Sequence, residues 1–150
     1  MIDFILLIYL KYILKKPPHF TEIMNIKEPK SGELSFAEIE MFPHYLILTI
    51  HEGVLFDSSE LQELFKFFED NFPNKDFGYI SNRIHDYTIN PTCYLKAKEI
   101  PNLKCMAVIC NNDSTYRTVL FEQKLHQRSA KIFDNRKESI RWVESILKID

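Results

Sequence analysis

The richest run of hydrogen-bonding and ionisable side chains in the chain lies between residues 81 and 92. β-forming residues at 77–80 precede this run, which predicts that it follows a strand. Asn90 is a favoured N-cap and Pro91 a favoured first helical residue, so a helix is predicted to begin at the far end. The candidate binding residues of this run are Ser81, Asn82, Arg83, His85, Asp86, Tyr87 and Asn90.

A strand, a polar loop and a helix start in succession are typical of a ligand site, because α/β sheets bind ligands outside the carboxyl ends of their strands. Arg83 can form charge-assisted hydrogen bonds with an anion, and the backbone N–H groups of a helix beginning at Asn90 also attract negative charge. We therefore predict that residues 81–92 engage a protein partner or a small apolar or anionic ligand. In the simpler interpretation these residues only order the loop, with Arg83 paired to Asp86.

Catalysis is the alternative interpretation of the same segment. Ser81, His85 and Asp86, or Cys93 with His85, supply the nucleophile, base and orienting group that a hydrolase needs. Catalytic triads assemble across a fold, however, and no nucleophile-elbow sequence surrounds these residues. We expect a protein that is not an enzyme and has no catalytic residues, with a small hydrolase as the alternative.

Length and charge narrow the class of protein. At 150 residues and 45% hydrophobic content, the chain can bury one sizeable core. A formal net charge of -2 gives no general attraction to nucleic acid. The excess of basic residues between Lys124 and Arg141 is interpreted as a solvated face. No glycine-rich phosphate loop occurs, and we predict no nucleic-acid partner and no cofactor.

The spacing of cysteine and histidine argues against a metal site. Cys93, Cys105 and Cys110 are odd in number and lack CxxC spacing, which also disfavours a disulfide framework. The histidines are scattered along the chain. We predict no metal ligands, a reducing cytoplasmic location, and core positions for Cys105 and Cys110 on opposite faces of one strand.

The N-terminal segment at 2–14 is almost entirely apolar. As a helix it would span about 20 Å, whereas the hydrocarbon core of a bilayer is about 30 Å thick. We predict an extension at 1–23 and a single domain at 24–150. Two interpretations of the extension stay open: peripheral membrane or partner contact through residues 2–14, or a translation start at Met24.

Apolar periodicity predicts an α/β order of elements, beginning with a hairpin of two strands at 33–41 and 45–50. The order strand, strand, helix, strand, helix, strand, helix, strand, helix predicts a mixed sheet of about five strands covered by about four helices. The later elements are predicted as a helix at 57–72, a strand at 77–80, a helix at 90–99, a buried strand at 103–110, a helix ending near 126, a strand at 130–133 and a final helix capped by Asn135 with Glu138.

This order of elements, together with the sequence FDNRKESIRWV at 133–143, resembles the SpoIIAA-like branch of the STAS (sulfate transporter and anti-sigma factor antagonist) superfamily. The resemblance covers roughly Glu33 to Leu147. It implies a SpoIIAA-like fold and a small cytoplasmic regulatory or binding module without catalysis. Relatives in this branch are also compared with CRAL-TRIO lipid-transfer domains, which is an analogy of fold.

The resemblance also raises the question of phosphorylation. Anti-sigma factor antagonists carry a phosphorylatable Ser at the start of the helix after the third strand. In this chain Thr88 and Thr92 are the nearest hydroxyls, and the Asp-Ser-Ser-Gly-like turn of the antagonists is absent. Thr88 and Thr92 are therefore the candidate phosphorylation sites, where a phosphate would gain from the helix N-terminus.

Overall fold

The structure is a computed structural model that describes residues 29–125 and 129–149. The predicted extension at 1–23 lies outside these residues. None of the helices within the described ranges combines the length and the apolar character of a membrane-spanning segment.

Eight strands and four helices make up the described chain. The strands are β1 (Lys30–Leu34), β2 (Ala37–Met41), β3 (Tyr45–Ile50), β4 (Leu55–Phe56), β5 (Phe77–Asn82), β6 (Thr88–Ile89), β7 (Leu103–Ile109) and β8 (Ser129–Phe133). The helices are α1 (Ser58–Asn71), α2 (Thr92–Lys96), which continues as a 3₁₀ turn at Ala97–Glu99, α3 (Asp113–Gln123) and α4 (Arg136–Leu147).

Six strands form one mixed sheet in the order β1-β2-β3-β5-β7-β8. The first three are antiparallel neighbours, and β3, β5, β7 and β8 run parallel. β4 and β6 form a separate parallel pair. The carboxyl ends of the parallel strands therefore lie at one edge of the main sheet, where α/β proteins place their sites.

Alternation along the strands divides the core between the two faces of the sheet. On one face, Leu48 and Phe77 pack against Leu64 and Phe68 of α1. The same face continues at Val108, which packs against α3. The other face is covered by α4, whose fully buried Val143 packs against a separate apolar cluster of β3, β5 and β7. We call these the α1 face and the α4 face.

The predicted α/β fold of a mixed sheet with four helices is confirmed. α1 begins at a capping box in which the Asp57 side chain and Glu60 bond each other's backbone N–H groups. Asn135 caps α4 by accepting a hydrogen bond from the Glu138 backbone N–H. Cys105 and Cys110 lie in clusters on opposite faces, as predicted.

Two details of the fold differ from the prediction. The segment predicted as one strand at 33–41 is a hairpin of β1 and β2. Glu63 of α1 holds the turn of this hairpin at Ser35. The Glu63 carboxylate accepts hydrogen bonds from the Ser35 backbone N–H at 2.7 Å and from the Ser35 Oγ at 2.5 Å. Thr88, predicted in a loop, lies in β6 and pairs with Leu55. Both differences arise from contacts between residues far apart in the chain, which local periodicity does not report.

Close packing of α4 on β5 depends on Gly78. A Cβ atom at this position would lie 2.5 Å from Val143 Cγ1 and 3.2 Å from Cys105 Sγ. We expect Gly78→Ala to lower the free energy of unfolding by about 1–3 kcal/mol through overpacking, measured by urea unfolding. Gly32→Ala is the matched control, because the nearest atom there, Ile39 Cβ, is 3.9 Å away. Equal stability of the two variants would contradict the packing described for α4.

Candidate functional site

Tyr79, Ser81 and Arg83 alternate along β5 and its continuation, so their side chains share the α1 face of the sheet. The backbone of Arg83 continues the ladder, since its N–H donates to the Ile109 carbonyl at 3.0 Å. Ile80 and Asn82 point to the α4 face instead. β5 therefore carries polar side chains into the layer between the sheet and its helices.

α3 supplies the acidic partner of Arg83. Val119 is buried against Val108, and Glu122, three residues later, lies on the same side of the helix. Glu122 Oε2 lies 2.6 Å from Arg83 Nη1. The side chains of Arg83 and Glu122 are only 6% and 12% exposed. A fully formed ion pair is thus placed inside the molecule.

Three tyrosines surround this ion pair. The guanidinium of Arg83 lies 4.6 Å from the ring centroid of Tyr87, a cation–π distance. The Tyr87 hydroxyl lies 3.4 Å from Ser81 Oγ. Tyr94 of α2 interacts electrostatically with Glu122, and Tyr79 interacts with Ser81. We call the six residues Tyr79, Ser81, Arg83, Tyr87, Tyr94 and Glu122 the polar cluster.

Burial controls the ionisation of this cluster. It raises the pKa of Tyr94, and the charge of Glu122 adds to the effect. It also raises the pKa values of Tyr79 and Tyr87, although Arg83 acts in the opposite direction on both. Burial alone lowers the pKa of Arg83, but Tyr87 and Glu122 outweigh it and the pKa is raised. The phenols are therefore neutral hydrogen-bonding groups and Arg83 is a cation.

A partly open cavity of about 90 Å³ borders the polar cluster. It lies on the α1 face, between the sheet and the helices α1, α2 and α3. Apolar side chains form most of its wall, including Leu64, Phe68, Cys93, Val108 and Val119. Tyr79, Ser81, Arg83, Tyr94 and Glu122 are among the polar residues that line it. An apolar wall with a few convergent polar groups is the usual character of a small-molecule site.

The structure divides the predicted site residues into a buried and an exposed group. Ser81, Arg83 and Tyr87 join the polar cluster. Asn82 lies on the other face and donates to Thr49 Oγ1 at 3.1 Å.

The loop residues His85 and Asp86 lie near Glu52. The Asp86 backbone N–H donates to Glu52 Oε2 at 2.9 Å, and His85 Nδ1 lies 3.7 Å from the same oxygen. The simpler interpretation of the loop paired Arg83 with Asp86. In the structure Arg83 pairs with Glu122 instead.

The start of α2 has partners of its own. The Asn90 side chain accepts from the Thr92 backbone N–H at 3.1 Å, as an N-cap does. It also donates to Asp57 Oδ1 at 3.1 Å. Arg83 pairs with Glu122 and Asn90 bonds the cap of α1, so both residues of the predicted anion site have partners within the protein.

The candidate phosphorylation sites Thr88 and Thr92 are both exposed. The Thr92 hydroxyl donates to Asn90 Oδ1 at 2.9 Å. The Thr88 backbone N–H donates to the Val54 carbonyl at 3.0 Å. Phosphorylation at either residue stays a prediction.

The residues considered as the nucleophile and base of a hydrolase are engaged in contacts that do not belong to a catalytic arrangement. Ser81 is buried beside Tyr87, and His85 lies near Glu52 at the surface. Burial raises the pKa of Cys93, and the nearby Asp57 raises it further, the reverse of what activates a thiol. Among the described residues, no group of three or more His, Cys, Asp and Glu side chains is placed to hold a metal ion.

Sequence reasoning missed half of the polar cluster. Tyr94 and Glu122 were not assigned a role, and Tyr79 was assigned only to a strand. A signal for Glu122 was present, because a carboxylate three residues after the apolar Val119 shares its side of a helix. No such local pattern connects Arg83 with Glu122, which are 39 residues apart.

Comparison with solved structures places the fold. The chain superimposes on an uncharacterized protein of the DUF3478 family with a SpoIIAA-like fold, from Shewanella loihica PV-4, with a TM-score of 0.52. The match covers 79% of this chain and 96% of the other at 12% identity. A scan against protein-family models and a search of curated proteins each gave no match. The chain therefore has a SpoIIAA-like fold, as its sequence predicted.

The buried ion pair makes a prediction about stability. Removing one partner leaves the other charge buried and uncompensated, so Glu122→Ala should lower the free energy of unfolding by about 3–5 kcal/mol. The double variant Arg83→Met/Glu122→Leu should recover most of this loss. In the exposed pair Lys66–Asp70, Asp70→Ala should change stability by less than about 0.5 kcal/mol. Urea unfolding measures all three, and a small effect of Glu122→Ala would contradict the burial of the pair.

The buried tyrosines predict loss of stability at alkaline pH. The pKa of Tyr94 is raised above its ordinary value of 10.0 in the folded state. Above pH 10 the unfolded chain releases this proton while the folded chain keeps it, so the free energy of unfolding falls by about 1.4 kcal/mol per pH unit for each such tyrosine. Urea unfolding at about pH 9 and about pH 11 measures the slope. Tyr94→Phe should reduce it, and an unchanged slope would show that Tyr94 is not buried as described.

Proposed function

We propose that this chain is a non-enzymatic, STAS-like regulatory or binding module that holds a small, largely apolar ligand in the cavity beside the polar cluster. One observation carries the proposal: an apolar cavity lies on the α1 face and is bordered by the Arg83–Glu122 pair. Apolar walls supply affinity through burial of the ligand, and the few polar groups orient it.

The size of the cavity limits the ligand. An apolar cavity of about 150 Å³ binds benzene, so the volume of about 90 Å³ accepts a ligand of that size only if a covering element moves. Cys93 and Tyr94, which line the cavity, belong to α2, and this helix has only five residues. A short helix has few contacts to hold it, so displacement of α2 is the simplest way to admit a ligand.

Of the two ligand types predicted from the sequence, apolar or anionic, the site favours the apolar type. Arg83 is the cation that an anion would seek, and Glu122 already neutralises it at 2.6 Å. The contacts of Ser81 and the raised pKa of Cys93 support binding over catalysis.

A protein partner is the second candidate function of the 81–92 segment. Ile84 is 61% exposed in this segment, although it is a large apolar side chain. A partner that covers Ile84 would remove this apolar surface from water, which favours association. Ile84→Ser should weaken partner binding while leaving the cavity unchanged, so the two functions can be separated by mutation.

The test of the proposal is a methyl NMR titration with isobutanol as a small apolar probe. Isobutanol should shift the methyl resonances of Leu61, Val108 and Val119, which line the cavity, and leave Ile47 and Val143 on the α4 face unchanged. Occupying the cavity by a larger side chain should abolish these shifts.

Val119→Phe fills the cavity, and Leu120→Phe is the matched control because Leu120 is the next residue of α3 and 40% exposed. We expect Val119→Phe to lose the isobutanol response and Leu120→Phe to keep it. No response in the wild type, or a response that survives Val119→Phe, would contradict the proposed site.

A further inference from the structure

We propose that the cavity selects neutral ligands that carry a hydrogen-bonding group and excludes carboxylates, and that Glu122 is the residue that determines this selectivity. This inference rests on the proposed function and specifies the chemical class of its ligand. It follows from the charges, burial and contacts of the polar cluster.

The charge of the site is already balanced. Arg83 and Glu122 both line the cavity, and they are in direct contact through Nη1 and Oε2. A ligand carboxylate would have to displace Glu122 from Arg83 or be buried as a second negative charge beside it. Both outcomes leave a buried charge without a partner, which is strongly unfavourable in an apolar surrounding.

A neutral polar group meets no such penalty. A guanidinium has five N–H donors and a carboxylate about four acceptor positions, so a ligand amide or hydroxyl can hydrogen-bond to the pair without breaking it. Ser81 Oγ and the Tyr87 hydroxyl are 3.4 Å apart, which is long for a hydroxyl pair, so Ser81 can turn toward a ligand at little loss. The site thus combines donors and acceptors around a net charge of zero.

The other charged side chains do not alter this balance on the cavity side. Lys131 also contributes to the lining, but its ammonium lies 5.3 Å from the ring centroid of Phe133, which belongs to the α4-face cluster. Within the described part of the chain, Arg83 is therefore the cation placed against the tyrosines on the α1 face, and Glu122 is what prevents it from attracting an anion.

The test uses two probes of matched shape, isobutyramide and isobutyrate, titrated at neutral pH and followed by the cavity methyl groups. Wild-type protein should bind isobutyramide at least about tenfold more tightly than isobutyrate. Losing a hydrogen bond to a charged group, or leaving such a group buried without a partner, changes affinity by this order. In Glu122→Gln the amide keeps the shape of the side chain but removes its charge. Arg83 then lacks a counterion, and the preference should invert toward isobutyrate.

Two further variants keep the test decisive if Glu122→Gln folds poorly. The double variant Arg83→Gln/Glu122→Gln removes both charges and should retain the preference for isobutyramide. Arg83→Gln alone leaves the Glu122 carboxylate unpaired, and it should bind isobutylammonium in preference to isobutyrate. Native folding of each variant is checked by its methyl spectrum before titration.

The outcomes separate the inference from the proposed function. Neutral preference in the wild type with inversion in Glu122→Gln supports both. Equal or tighter binding of isobutyrate by the wild type, at the cavity methyls, overturns the selectivity while the binding site stands. Failure of isobutanol and both matched probes to shift the cavity methyls of the wild type overturns the site itself.

Discussion

The buried ion pair between Arg83 and Glu122 is the interaction on which the α1 face depends. Two opposite charges held 2.6 Å apart and almost fully removed from water are stable only if each remains the other's partner. That requirement holds α3 against β5 through the contact of Glu122 with Arg83. The cavity lies beside this pair, and both residues line it. A polar contact and an apolar space therefore share one layer of the fold.

The two faces of the sheet are packed differently. On the α4 face, Gly78 allows Val143 to lie directly against β5, and the cluster there is closely packed. On the α1 face, β5 presents Tyr79, Ser81 and Arg83, whose polar atoms need partners from the covering helices. Helix α3 provides Glu122 and α2 provides Tyr94, so the helices of this face contribute both the walls and the hydrogen bonds of the site. The same strand thus stabilises the fold on one side and forms the site on the other.

Sequence patterns predicted the fold more completely than the site, for a physical reason. Helices and strands follow from local periodicity and capping, as at Asp57 and Asn135, and the cap at Asn135 was predicted correctly. A strand was predicted correctly just before the segment 81–92, and β5 extends into it as far as Asn82. Its division into buried and exposed residues was not predicted, because alternation along β5 sends Arg83 to one face and Asn82 to the other only once the sheet is placed. The pairing of Arg83 with Glu122 depends on tertiary contact between β5 and α3, which no local pattern encodes.

The proposed binding role depends on one feature, the apolar cavity on the α1 face beside an intact Arg83–Glu122 pair. A crystal structure determined under xenon pressure tests it most directly, because xenon enters apolar cavities and is seen as strong electron density. We predict one xenon site among Leu64, Phe68 and Val108, with Glu122 still bonded to Arg83. A closed layer without xenon, or Arg83 turned to solvent, would contradict this description of the α1 face.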